Sequence, residues 1–320
     1  IDAFLIGDGE DSIVEVTDVL NACKKEGVPR AERLKRLASL RGVYVPGLYH
    51  DEYNADGTLK SLEPTAPCAP PRVLRSILTD FENAYVPTRP PVPYIQPVFD
   101  RIMLEIMRGC TRGCRFCQAG MLYRPVRERS VDKLVELAKE SVKNTGYEEI
   151  SLSSLSSSDY SCISELAGRL TDELRDQRVS LSLPSLRVDK FVQDTLTHTQ
   201  KVKKSSLTFA PEAGTQRLRD VINKNVTEAD LVNTLTNAFS NGWNAVKLYF
   251  MTGLPTETDE DLIGIAELAK TAAGAYYSVP KEKRVKGLRI TCSAAVFVPK
   301  PFTPFQWCRQ DDPETVRRKQ

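Results

Sequence analysis

Residues Met107 to Met121 read MRGCTRGCRFCQAGM. Cys110, Cys114 and Cys117 are spaced C-x-x-x-C-x-x-C, with Gly109, Gly113 and Gly120 between and beside them. Thiolates are soft ligands that select zinc, copper(I) or iron–sulfur clusters. Three of them cannot fill a four-site centre, whether a tetrahedral zinc or a cube of four irons. Either a fourth ligand comes from elsewhere, or one metal stays open for a substrate. The glycines allow the left-handed or crowded backbone needed to wrap a loop around a cluster. Phe116 would give the loop an apolar, water-excluding side.

A C-x-x-x-C-x-aromatic-C loop at the end of a strand resembles the signature of the radical S-adenosylmethionine (SAM) superfamily. The resemblance implies that Cys110, Cys114 and Cys117 hold a [4Fe–4S] cluster. It also implies that the amino and carboxylate groups of SAM chelate the fourth iron, and that reduction cleaves SAM to methionine and a 5′-deoxyadenosyl radical. The competing expectation is a non-enzymatic metal module, in which a distant thiol such as Cys162 completes a zinc or electron-transfer centre.

Working outward, 320 residues leave room for roughly two domains. A hydrophobic content of 41% with 27% charged residues describes an ordinary globular chain. No apolar run approaches the roughly 20 residues of a membrane helix, and no signal peptide opens the chain. The start at Ile1 and the end at Gln320 suggest a fragment. A net charge of +2 argues against a globally basic nucleic-acid binder. Locally, however, Arg108, Arg112, Arg115, Arg124, Arg127 and Arg129 stand against one acid, Glu128, and predict either a solvated loop or a positive rim for anionic groups or a partner surface. The remaining cysteines, Cys23, Cys68, Cys162, Cys292 and Cys308, are too dispersed for a disulfide scaffold. They fit reduced thiols in a reducing cytoplasm.

Upstream, Ile1 to Ile6 suits a buried parallel strand, followed by the turn Gly7-Asp8-Gly9-Glu10 and a helix with Ile13, Val16, Leu20 and Cys23 on one face. Ser12 stands where a dinucleotide fingerprint needs its third glycine. This strand and helix resemble the closing part of the cobalamin-binding domain that precedes many radical SAM cores. The cobalt-ligand motif D-x-H-x-x-G is absent, so cobalamin is supported by no ligand residue here. A helix is predicted over Ala31 to Leu40. Val43 to Tyr49 and the stretch after Asn54-Ala55-Asp56-Gly57 read as a hairpin, and His50, Asp51 and Glu52 as its exposed edge rather than a metal trio. Residues 1–62 are therefore expected to be the tail of an α/β, Rossmann-like domain of cobalamin-binding type. The proline-rich residues 63–99 are expected to be an extended linker.

From Asp100 strands and helices alternate, which implies a parallel sheet with crossover helices. Strands are predicted at Arg101–Met107, Glu149–Leu155, Val179–Leu183, Ser205–Phe209, Ala245–Met251 and Leu288–Phe297. Helices are predicted at Val131–Lys143 with Ser130 as N-cap, Ser161–Arg175, Phe191–Thr197, Thr227–Ser240 and Asp259–Tyr276. Six such units resemble the open (βα)6 partial TIM barrel of radical SAM type over 100–310, with 311–320 a cut terminal segment.

In that layout the strand C-termini face the site. After the second strand comes SLSSLSSSDYS. Its place resembles that of the family's contact to the SAM amino group, so Ser153 and Ser154 (with Ser156) are candidates, although the usual Gly-Gly-Glu-Pro run is missing. After the third strand, Arg187 could pair with the SAM carboxylate or with Asp189. After the fourth, Glu212 could accept from the ribose hydroxyls or simply open a helix. After the fifth, Gly253 and Leu254 could meet the adenine. Lys247 and Tyr249 share one strand face; inward they are substrate candidates, outward a helix-covered edge.

The motifs RGCTRGCRFCQAG, PSLRVD, APEAGT, GLPTET and PKPFTPFQW together are closest to radical SAM proteins with cobalamin-binding domains and unassigned substrates, cousins of the methylthiotransferases. The resemblance implies an external reductant such as flavodoxin or ferredoxin. It leaves methylation and RNA modification as competing outcomes.

Overall fold

The computed structural model describes residues 1–56, 59–95, 97–182 and 207–320, which divide between two compact units, Ile1–Tyr85 and Val86–Gln320. Arg187, Asp189, His198, the helix predicted at Phe191–Thr197 and Gly57 of the hairpin turn lie outside the described residues.

In the first unit, α1 (Glu10–Lys25) and α2 (Arg30–Ala38) pack with two short strands, β1 (Phe4–Leu5) and β2 (Val43–Tyr44). Acids open α1 and lysines close it, which complements the helix dipole. Leu37, Ala38, Val43 and Val45 form the core, with Val16 and Val19 packed on it. Three expectations are corrected here. Ile1 to Ile6 is no buried parallel strand: Phe4 and Leu5 are exposed and pair antiparallel with Tyr44 and Val43. The packed face of α1 runs through Ser12, Val16, Val19 and Cys23, while Ile13 and Leu20 face solvent. The hairpin forms one strand later than predicted, between β3 (Tyr49–Tyr53) and β4 (Leu59–Pro64), because Val43–Tyr44 is taken by β1. Asp51 alternates to the opposite face from His50 and Glu52, which separates the three side chains.

In the second unit the expected alternation holds. The order is β5 (Ile102–Glu105), β6 (Met107–Arg108), α3 (Ala119–Leu122), β7 (Arg127–Glu128), α4 (Val131–Thr145), β8 (Glu149–Ser153), α5 (Ile163–Glu173), β9 (Ser180–Ser182) and β10 (Leu207–Glu212). It continues through α6 (Gln216–Val221), α7 (Glu228–Ser240), β11 (Ala245–Thr252), α8 (Asp259–Ser278), β12 (Arg289–Val296) and α9 (Pro313–Lys319). Among the described residues these strands make two parallel sheets, β5-β8-β9 and β10-β11-β12, and no closed barrel. This is the open, partial-barrel α/β architecture read from the sequence.

Strand alternation sorts the sheet faces. Ile102, Leu104, Ile150 and Leu152 are buried in one apolar cluster with Leu134, Ala138, Leu166 and Leu170 of α4 and α5. Phe209, Val246, Leu248 and Phe250 are buried likewise with Leu231, Leu235, Phe239 and Leu268 of α7 and α8. Each large apolar side chain so buried contributes about 1.5–3 kcal/mol. The residues between them, Lys247, Tyr249 and Met251, therefore face the lumen. Caps fix where the helices start: Ser130 accepts from the Lys133 amide at 3.2 Å, as predicted, and Thr227 with Asp230 makes a capping box.

Candidate active site

The cysteine loop begins where β5 ends. Its two feet, β6 and β7, pair antiparallel, Met107 with Glu128 and Arg108 with Arg127, so residues 109–126 close into a lasso. Gly109 opens it at φ 92, and a methyl there would sit 2.5 Å from the Tyr123 carbonyl oxygen. Cys110, Cys114 and Cys117 are half-buried, and none of the chain's eight cysteines forms a disulfide. The Gly120 amide donates to Cys117 Sγ at 3.4 Å.

Other strand-end segments grip the lasso. The Arg115 amide donates to the Ile222 carbonyl at 3.0 Å, and Asn223 Nδ2 donates to the Gly113 carbonyl at 3.0 Å, both from the segment after β10. Gln118 Nε2 donates to the Pro301 carbonyl at 3.2 Å, beyond β12. Arg112 pairs with Asp159, beyond β8. Phe116 and Leu254 are brought together: both belong to a cluster with Ala213, Leu218, Ile222, Phe297 and Phe305, against which Met251 and Cys308 also pack.

The other sequence candidates fall as follows. Ser153 ends β8, and its carbonyl accepts from the Ile106 amide. The Ser154 hydroxyl bonds Ser157 Oγ at 3.0 Å, and Ser156 donates to Asp159 at 2.7 Å, so this run is an internally bonded turn. Glu212 ends β10 at φ 70, a left-handed position that strains a non-glycine residue. Its carboxylate accepts from Lys224 Nζ at 3.0 Å with both side chains largely buried. Gly253 lies at the end of β11 with Asp311 Oδ2 as the atom nearest to an added methyl, 2.9 Å away. Lys319 bridges Asp311 and Glu257, each at 2.7 Å, and Glu257 in turn accepts from the Gly253 amide at 2.8 Å. Burial would lower the Lys319 ammonium, but the hydrogen bonds to Asp311 and Glu257 outweigh it and hold it above its ordinary value.

The arginines read as a solvated loop or a positive rim also make contacts within the chain, two of them to acids and the rest to backbone carbonyls. Arg108 is bidentate to Glu105 at 2.9 and 2.8 Å, and Arg115 donates to the Val221 carbonyl at 2.5 Å. Arg124 reaches the Cys110 carbonyl, Arg127 the Tyr123 and Pro125 carbonyls, and buried Arg129 the Glu105 carbonyl at 2.7 Å. Guanidinium groups with several fixed donors organise irregular backbone in this way.

Asp261 is a hub that sequence reading missed, although T-E-T-D at 256–259 announces a helix start. It accepts from the Thr215 hydroxyl, from Arg217, and from the Thr258 amide at 2.8 Å, tying the segment after β10 to that after β11. Burial would push its carboxyl up, but those hydrogen bonds outweigh it and hold it below the usual carboxylate range. Arg219 is equally hidden from sequence. Fully buried, it donates to the Val226, Ala213 and Gly214 carbonyls, shaping the chain beside Glu212.

The donor set fits an iron–sulfur cube. Among the described residues no three His, Cys, Asp or Glu side chains are drawn together as one metal ion requires. A cube asks for less, one thiolate to each of three irons, and leaves the fourth open.

A family model described as the radical SAM superfamily matches residues 104–269, and one described as radical SAM proteins, N-terminal, matches residues 1–46. The uncharacterized protein MJ0966 of Methanocaldococcus jannaschii is 41% identical over 204 residues, which cover 64% of this chain and 42% of that protein. The chain thus spans less than half the length of that relative. Among solved structures, the radical SAM methyltransferase TsrM of Kitasatospora setae, with cobalamin and a [4Fe–4S] cluster bound, aligns with TM-score 0.59 at 13% identity, over 95% of this chain and 54% of its own. The cobalamin-dependent SAM radical enzyme OxsB, with aqua-cobalamin and SAM bound, aligns with TM-score 0.55 at 13% identity, over 92% and 44%. At these identities the likeness concerns the fold.

Proposed function

The chain belongs to the radical SAM superfamily, and on that premise we propose that Cys110, Cys114 and Cys117 ligate a [4Fe–4S] cluster whose fourth iron takes SAM. When bound, the cluster supplies the electron that cleaves SAM to methionine and a 5′-deoxyadenosyl radical. The cofactors carry the hard chemistry, and the protein's part is to bind, orient and exclude water.

The observation that carries this reading is the lasso itself: three half-buried thiols on a loop held by the segments after β8, β10 and β12. Phe116 gives the loop an apolar side that packs against the cluster of Leu254 and Phe297, and the Gly120 amide donates to Cys117 Sγ. Glu212, fixed by Lys224, keeps acceptor capacity for the ribose hydroxyls. Leu254 and the backbone at Gly253 form the apolar side for the adenine. Ser153, Ser154 and Arg187 are the proposed contacts to the amino and carboxylate groups of SAM. A flavodoxin or ferredoxin is the proposed reductant, in a cytoplasmic setting. Methylation and RNA modification are the proposed outcomes. We assign no residue of this chain to cobalamin.

A zinc module is not favoured. Its fourth thiol, Cys162, is the N-terminal neighbour of α5 and packs against the apolar cluster of the first sheet and its helices rather than with the cluster that holds Phe116. The test is anaerobic reconstitution with iron and sulfide, then quantification of 5′-deoxyadenosine formed from SAM under dithionite. Product that requires all three cysteines supports the reading, and a reconstituted cluster that leaves SAM intact contradicts it.

A further inference from the structure

Lys247 lies on the lumen face of β11, turned away from α7 and α8, whose partners on that strand are Val246, Leu248 and Phe250. Its ammonium stacks on the Tyr249 ring at 4.7 Å. Among the described residues no carboxylate pairs with it. On the neighbouring strands the residues in register with Lys247 are Thr208 and Thr291, and Ser293 is in register with Tyr249. Strands are about 4.8 Å apart, so Thr208 and Thr291 flank the root of Lys247, and Ser293 flanks Tyr249, the ring on which the ammonium stacks. The Tyr249 ring stabilises the ammonium without neutralising it, and a lumen-facing cation paired with no carboxylate among the described residues can take an anionic group as a charge-assisted partner.

The same face leads to the cysteine loop. Met251, next above Tyr249, packs against the cluster that includes Phe116. The ammonium sits level with Tyr249, three residues below the last residue of β11, or about 10 Å at the strand rise.

We propose that the substrate carries a carboxylate or phosphate that binds the Lys247 ammonium, beside the Ser293 register position, inside the barrel about 10 Å from the strand ends. The anchored end then directs the reacting carbon toward the cysteine loop. The inference deepens the radical SAM reading by naming the substrate's anionic handle and rests on that reading for its meaning.

Competitive lysine acylation tests it on the intact chain. The protein is labelled with a limiting acylating reagent, alone, with inorganic phosphate, with acetate, and with chloride at matched ionic strength; each lysine is read by peptide mass spectrometry. Lys270, exposed on α8, is the internal control. Phosphate or acetate is expected to slow acylation of Lys247 about fivefold relative to Lys270, as a bound ligand protects its site. Protection by phosphate alone assigns a phosphate handle, and protection by acetate alone a carboxylate. Equal labelling in every arm, or equal protection by chloride, overturns the proposal. The readout needs neither cluster nor SAM, so its failure and that of the cluster reading are separable.

Discussion

Arg112 and Asp159 join the cysteine lasso to the serine-rich turn after β8: Nε lies 2.9 Å from Oδ2, and the second guanidinium arm reaches Oδ1. Both side chains are mostly shielded, at 21% and 14% exposure, so the pair counts for more than a surface salt bridge. Arg112→Ala leaves Asp159 short of its partner and should cost about 1.5–3 kcal/mol. Arg112→Lys should recover only part, because an ammonium cannot reproduce the two-armed contact. Thermal unfolding and iron content after reconstitution both report it, and an unchanged melting temperature for Arg112→Ala contradicts the role.

Gly214 follows Glu212 by two residues and lies against α8. A methyl added there would be 2.3 Å from the Ile265 amide nitrogen and 2.4 Å from the Gly264 carbonyl carbon. Gly214→Ala should destabilise by about 1–3 kcal/mol. Gly274→Ala in the same helix meets no atom within 4 Å and should stabilise by about 0.5–1 kcal/mol. Urea midpoints of the two variants are expected to move in opposite directions.

Asp261 gives the stability a pH dependence. Its folded carboxyl titrates below the ordinary value, so its contribution is complete above the unfolded pKa of about 3.9 and is lost as pH falls through the folded value. Asp261→Asn should lower the urea midpoint at neutral pH and flatten its decline below about pH 4. Parallel acid limbs for the two proteins would show that the hydrogen bonds of Asp261 do not set this dependence.

Glu212 is held by Lys224 at 3.0 Å and is the proposed ribose acceptor. Glu212→Gln keeps the shape but removes the charge, and it should weaken SAM binding to the reconstituted protein about tenfold, or about 1.4 kcal/mol. Equilibrium dialysis with SAM measures this, and unchanged affinity removes Glu212 from the binding residues.

Much of this arrangement was legible in the sequence because it is local. The strands and helices of the second unit follow from apolar periodicity, and the lasso follows from three cysteines and a glycine in a short run. What the sequence hid is tertiary. Six arginines near one acid read as a solvated loop or a basic rim, and their contacts to Glu105, Asp159 and several carbonyls could not be read from the sequence. The alternation of β11 left the direction of Lys247 open, and the apolar packing of Val246 and Leu248 resolved it. At the start of the chain, the run at Ile1 to Ile6 looked buried by hydrophobicity alone, yet its pairing with Val43 and Tyr44 leaves Phe4 and Leu5 in solvent.

The most direct measurement is electron paramagnetic resonance of the anaerobically reconstituted, dithionite-reduced protein with and without SAM, together with Cys117→Ser and Cys162→Ser. A reduced [4Fe–4S] signal that shifts when SAM is added, is lost in Cys117→Ser and survives in Cys162→Ser, is the predicted result. A spectrum indifferent to SAM, or one lost in Cys162→Ser, contradicts the account.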